Sequence, residues 1–365
     1  MKSLLRLLLK TQHQQNCSIQ AQTEKGMTLI ELLIGTVMAF LILTPMLAFV
    51  VDMLNTDRRE QVKANTEQDI QAAVDFIAQD LSQAIYIYDN IDINGGTRGT
   101  VAVTGIKSQL PPNDATKIPI LVFWKRQQVK KSVPIDKTVK PNQCKDTANV
   151  DKCNDTYVLS LVAYYLFKDK ENIWCQPSGV TCPARIARYE IRDGVRKPDP
   201  LATDINLPYY NVADTDPDTQ QPDPAFNKDF DFTKPTENVT LAAGLIKDES
   251  GAKKPQILLN YIDHSSPGPT VIGNECKIPL GNPTAQIGAS TQPIEEGTLK
   301  ITDSTSSPPT NSFYACVDTA RNLARVTIRG NSLRRLQTDA NYDAKRSAFF
   351  PTASVQVQGL GARGK

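Results

Sequence analysis

The residues whose types and spacing could carry chemistry are few: six cysteines, three alternating aspartates, one histidine between aspartate and serine, and one glutamate heading an apolar run. The cysteines are Cys144, Cys153, Cys175, Cys182, Cys276 and Cys316; the seventh, Cys17, lies well upstream. No C-x-x-C occurs among them, which argues against zinc. An even set reads as disulfides in an oxidising compartment. Six cysteines allow fifteen pairings, and proximity favours Cys144–Cys153, Cys175–Cys182 and Cys276–Cys316. Asp214, Asp216 and Asp218 have the alternate-acid spacing of a calcium loop, but the following Gly and closing Glu are absent and Pro217 interrupts the run. His264 is flanked by Asp263 and Ser265, and sequence neighbours do not thereby form a hydrolytic triad; no G-x-S-x-G precedes them. With no phosphate-binding or dinucleotide fingerprint either, the residues suggest no enzyme, no cofactor and no resident metal. The remaining candidate is Glu31, whose chemistry would be ion pairing at the edge of a low-dielectric medium.

The elements that must position these groups begin with an apolar run. Leu32 to Val51 contains no ionisable residue, and about 20 such residues span a bilayer core. Gly35 and Pro45 within it are tolerated in transmembrane helices. Lys2, Arg6, Lys10 and Lys25 precede it against one acid, Glu24. That excess predicts a cytoplasmic N-terminus and an exported bulk, in the periplasm or outside the cell. The six clustered cysteines all fall on the exported side.

Beyond the membrane run, Ile70, Ala73, Val74, Ile77, Leu81, Ala84, Ile85 and Tyr88 recur at helical spacing, one apolar stripe over about 60–88. Between Asp52 and Lys63 the pattern weakens, and a kink or frayed stretch is expected. Strands are predicted at 118–124, 157–167, 184–191, 256–262, 313–317 and 323–329, each rich in Val, Ile, Tyr or Phe and bounded by turn residues. One long helix followed by short strands predicts an α+β fold with an antiparallel sheet and long disulfide-bonded loops. Lys plus Arg is 41 and Asp plus Glu 39, so composition excludes a nucleic-acid-binding surplus of base.

The stretch Lys25-Gly26-Met27-Thr28-Leu29-Ile30-Glu31 resembles the processing site of type IV prepilins and type II secretion pseudopilins. In that family a basic leader ends in glycine, prepilin peptidase cleaves after it, the new amine is N-methylated, and the fifth mature residue is glutamate. Counted from Met27, Glu31 is that residue; Met27 stands where the family usually has phenylalanine, and Pro45 lies somewhat earlier than the family's helix-breaking proline. The resemblance implies a leader at 1–26, a long N-terminal helix over 27–90 with its transmembrane half at about 29–51, and an exported β-rich domain over 91–365. It implies a pilin-like fold, and Glu31 paired with a neighbouring subunit's Met27 amine during assembly. Two further strings, "RVTIRGNSLRR" (325–335) and "FFPTASVQVQG" (349–359), resemble cyanobacterial pseudopilins of hormogonium polysaccharide secretion.

Together these readings lead to the expectation of a structural minor pilin or pseudopilin of the inner membrane. Its partners would be prepilin peptidase, other pilin-like subunits and an inner-membrane assembly platform, and its filament would support secretion, of polysaccharide in particular, and motility. The alternative is a tethered extracytoplasmic enzyme or sensor, which needs apolar length but neither Gly26 nor Glu31. Removing the leader's four basic residues and one acid leaves 37 against 38, so net charge predicts no electrostatic capture of an anionic polymer.

Overall fold

The structure, a computed structural model, describes residues 28–111, 115–136, 138–178, 182–198, 208–216, 220–240, 255–265, 268–269, 273–287, 290–305 and 310–362. The chain divides into two compact units, one up to Asp57 and one from Arg58 onward. A single helix, α1 (Leu29–Ser82), supplies residues to both and continues through Pro45.

In the first unit every described side chain is exposed. The helix there is long and apolar enough to cross a membrane, and none of its apolar stretch is buried. Thr36 and Thr44 turn their hydroxyls onto the carbonyls of Leu33 and Phe40 at 2.9 and 2.7 Å. Such back-bonding keeps a polar side chain satisfied where no water is at hand. The expected break between Asp52 and Lys63 does not occur, for α1 is continuous there. Met53, Leu54, Arg58, Arg59, Glu60, Gln61 and Lys63 in this stretch are strong helix formers even without a continuous apolar face.

The second unit is built on two antiparallel sheets. In chain order its strands are β1 (Ala84–Ile87), β2 (Gly96–Arg98), β3 (Val101–Val103), β4 (Lys117–Pro134), β5 (Cys153–Phe167), β6 (Ala184–Arg192) and β7 (Gln256–Ile262). There follow β8 (Thr284–Ile287), β9 (Ser290–Pro293), β10 (Lys300–Ile301), β11 (Phe313–Asp318), β12 (Leu323–Arg329) and β13 (Thr352–Gln358). The larger sheet has the order β1-β4-β5-β6-β7 and the smaller β10-β11-β12-β13, while β2–β3 and β8–β9 are separate hairpins. A bridge between Ile262 and Gly330 links the two larger sheets.

One apolar core serves both sheets and the end of α1. Ile70, Ala73, Val74, Ile77 and Leu81 form the helix's buried stripe against Val122, Phe123, Tyr164 and Ile186 of the larger sheet and Phe313, Val326 and Ile328 of the smaller. At roughly 1.5–3 kcal/mol per fully buried large side chain, this stripe is what anchors α1. Gly330 marks the closest approach: a Cβ there would stand 2.6 Å from Ile70 Cδ1 and 2.9 Å from Thr66 Cγ2. Trp124 closes the far side, donating to the Tyr88 hydroxyl at 2.9 Å and stacking on Phe230 at 4.3 Å.

The predicted stripe to Tyr88 needs correction. α1 ends at Ser82, and Ala84–Ile87 leaves the helix to pair with β4. Ile85, Tyr86 and Ile87 are β-branched or aromatic, and ladder bonds to β4 outweigh a helical spacing that continues by coincidence.

Candidate functional site

Thr28 stands immediately before α1 and its carbonyl accepts from the N–H groups of Glu31 and Leu32 at 3.0 and 3.2 Å. Its hydroxyl oxygen also accepts from the Glu31 N–H at 3.4 Å. Thr28 is therefore an N-cap, and Thr-x-x-Glu is the spacing of a capping box. The glutamate sits in the first turn, where a negative charge complements the unpaired N–H groups of the helix start. Its side chain is exposed. Among the described residues no ion pair with Glu31 is formed. Gly26 and Met27, the proposed processing pair, lie outside the described residues.

The motif thus delivers a carboxylate at the head of an apolar helix, with its backbone N–H engaged and its oxygens open. The capping role was not among the expectations from sequence. The signal for it was present in the Thr28–Glu31 spacing, three residues apart ahead of an apolar run.

A second acid on α1 is placed quite differently. Asp80 follows Ile77 by three residues, so it lies on the buried stripe itself. Three strands supply its partners. Lys125 Nζ of β4 donates at 2.9 Å, the Tyr164 hydroxyl of β5 at 2.7 Å, and Arg188 Nε of β6 at 2.7 Å. Glu190 completes the group, 3.3 Å from Lys125 and 2.9 Å from Arg188. Two cations thus face two carboxylates and a phenol, which is what buried charge requires. Burial alone would raise the Asp80 carboxyl; the Arg188 hydrogen bond and charge, then Lys125 and Tyr164, outweigh it and hold it below the ordinary carboxylate range. Glu190 is likewise lowered, burial being opposed by the charges of Arg188 and Lys125. Asp80, Lys125 and Arg188 are buried and turned on one another, with Glu190 at the half-buried rim. The arrangement fixes the rotation of α1 on the larger sheet, and an acid inside an apolar stripe is the mark by which sequence could have shown it.

The cysteines pair as Cys144–Cys153, Cys175–Cys182 and Cys276–Cys316. The first braces the connection between β4 and β5, the second a loop before β6, and the third ties the segment after Asn274 to β11. Of the calcium-loop candidates, Asp214 pairs with Lys140 at 2.7 Å and Asp216 with Lys145 at 2.9 Å; Asp218 lies outside the described residues. Among the described residues no group of three or more His, Cys, Asp or Glu could hold a metal ion.

Around His264 the neighbours are already committed. The Asp263 carboxylate accepts from Arg329 Nε at 2.9 Å and from the Ser265 hydroxyl, which in turn accepts from the Tyr342 N–H at 2.9 Å. Burial, reinforced by the Lys168 charge, pushes the His264 imidazole below its usual range. Ser265 thus donates to the aspartate and not to the histidine, the reverse of a nucleophile relay.

The chain matches no family model, no curated protein and no solved structure.

Proposed function

We propose that this chain is a pilin-like structural subunit, a minor pilin or pseudopilin held in the inner membrane through α1 and drawn into a filament that serves secretion. The observation that carries the reading is the placement of Glu31: an open carboxylate in the first helical turn, four residues after Met27 and directly ahead of an apolar stretch. Prepilin peptidase would release the leader at Gly26, and the new Met27 amine would carry the charge that a neighbour's Glu31 needs.

The energetics favour such a pair. A carboxylate costs about 2.5–3.5 kcal/mol at the bilayer centre and less at the interface, where Glu31 can keep its water before assembly. Within a bundle of apolar helices that water is lost, and an unpaired charge becomes unfavourable. An amine from the adjacent copy offsets the loss and fixes the axial register. The second unit is consistent with a structural role, since the buried charges of Asp80, Lys125 and Arg188 are used in holding α1 to the sheet. The strings at 325–335 and 349–359, which resemble polysaccharide-secretion pseudopilins, fall on and beside the paired strands β12 and β13. They support polysaccharide as the client cargo.

The test is incorporation. In the native host, Glu31→Val should leave leader cleavage and membrane insertion intact and reduce recovery of the chain in sheared filaments. Glu31→Asp, one methylene shorter, should retain partial incorporation. Wild-type incorporation of Glu31→Val would refute the ion-pair mechanism and leave Glu31 an interfacial acid, whereas absence of the wild-type chain from sheared filaments would favour the tethered enzyme or sensor instead.

A further inference from the structure

Four strand edges terminate the two larger sheets, and three of them are blunted. β10 is two residues long. β1 is covered by the chain's own C-terminal turn, for a Cβ on Gly361 would run into the Ile85 carbonyl oxygen and one on Gly359 into that of Ala84. β7 is broken by register shifts and by Tyr261 at φ 59°, and its end is taken up by Asn331 and Gly330. Proteins block edges in just these ways because open N–H and C=O groups recruit other strands.

The fourth edge, β13, carries none of these devices. Its seven residues, Thr352-Ala-Ser-Val-Gln-Val-Gln358, pair with β12 without a register shift. They include no charge, no proline and no glycine. Among the described residues no backbone group other than those of β12 bonds to the backbone of these seven. Exposure alternates along the strand: Thr352, Ser354, Gln356 and Gln358 are exposed, while Ala353, Val355 and Val357 are half-buried against the core.

We infer that β13 is an interaction edge that takes the β13 of a second copy of this chain, antiparallel and centred on Val355. That register sets Val355 opposite Val355, Ala353 opposite Val357 and Ser354 opposite Gln356. Because strand faces alternate with a period of two, every apolar residue then meets an apolar one and every polar residue a polar one. The absence of charge selects a like partner. In a homotypic pair a lysine or glutamate would sit near its own counterpart, and like charges across strands repel. The result is a continuous eight-stranded sheet joining two copies. The inference stands apart from the filament reading, because it needs neither cleavage at Gly26 nor the Glu31 pair.

Its test uses the full-length chain, with Cys17→Ser to remove the upstream thiol. Ser354→Cys and Gln356→Cys copies produced together should give a mixed disulfide dimer that neither gives alone. Like residues are offset by two positions across the centre, and Cα atoms more than about 7 Å apart cannot be bridged. The exposed double substitution Ser354→Lys/Gln356→Lys should weaken self-association in detergent about tenfold by opposing lysines across the pair. A mixed product no greater than in the single controls, or self-association unchanged in the lysine variant, would overturn the inference.

Discussion

At the scale of single residues, Glu31 and Asp80 of α1 illustrate how placement decides role. Glu31 invites a discrimination that valine alone does not make. Glutamine preserves the Thr-x-x-Glu/Gln capping box but removes the charge. If Glu31 serves only as a cap, Glu31→Gln should be incorporated into filaments like wild type. With the ion pair as its role, incorporation should fall by more than about tenfold, because losing one partner of a buried charge pair costs several kcal/mol. Quantitative immunoblotting of sheared filaments separates the two. Asp80 is the converse case, an acid whose partners are all internal. Asp80→Ala strands Lys125 and Arg188 beside Glu190 alone and should destabilise the second unit by about 3 kcal/mol in a urea melt. Its pH dependence follows from sign. The Asp80 and Glu190 carboxyls are lowered in the folded chain, so their contribution is complete above the ordinary carboxylate pKa of about 4. It is lost as pH falls below that value toward the folded pKa. Melting temperature should therefore drop below about pH 4, and less steeply in Asp80→Ala.

At the scale of elements, the contact between α1 and the sheets turns on Gly330. Gly330→Ala brings a methyl against Ile70 Cδ1 and should cost about 1 kcal/mol, the lower end of overpacking penalties. Ile70→Val removes that atom, so Gly330→Ala should cost less in its background. A double-mutant cycle by chemical denaturation measures the coupling, and additive effects would refute the close approach. The same scale shows what was legible in sequence. β7 and β12 coincide with predicted strands, since their Ile, Leu and Tyr content is bounded by turn residues on both sides. The stripe from Ile70 to Leu81 was legible because burial repeats at helical spacing. β1 was hidden, for Ala84, Ile85 and Tyr88 happen to continue that spacing. β13 also escaped notice as a strand: its half-polar alternation of Ser, Gln and Val reads as surface until its partner β12 is known. The Asp80 cluster escaped because Lys125, Tyr164 and Arg188 come from three strands, and single-chain periodicity does not align strands with one another.

At the scale of the whole molecule, three disulfides and one apolar helix define how the chain can be handled. On the chain-entropy account, a loop of 40 residues closed by Cys276–Cys316 contributes about 4 kcal/mol, and the shorter loops about 2.5 each. Cys276→Ser with Cys316→Ser should hence lower the melting temperature more than Cys144→Ser with Cys153→Ser. Equal losses would show that local packing, not loop closure, sets the effect. Disulfides persist chiefly in oxidising compartments, and α1 is long and apolar enough to span a membrane. The proposed processing between Gly26 and Met27 would connect these features to assembly, and the proposed function depends on it. The decisive measurement is the mass of the N-terminal peptide of the protein purified from membranes of its own host with an active prepilin peptidase. The account predicts a chain that begins at Met27 with a methylated amine. An intact leader, with residues 1–26 still attached to a membrane-inserted chain, would contradict it.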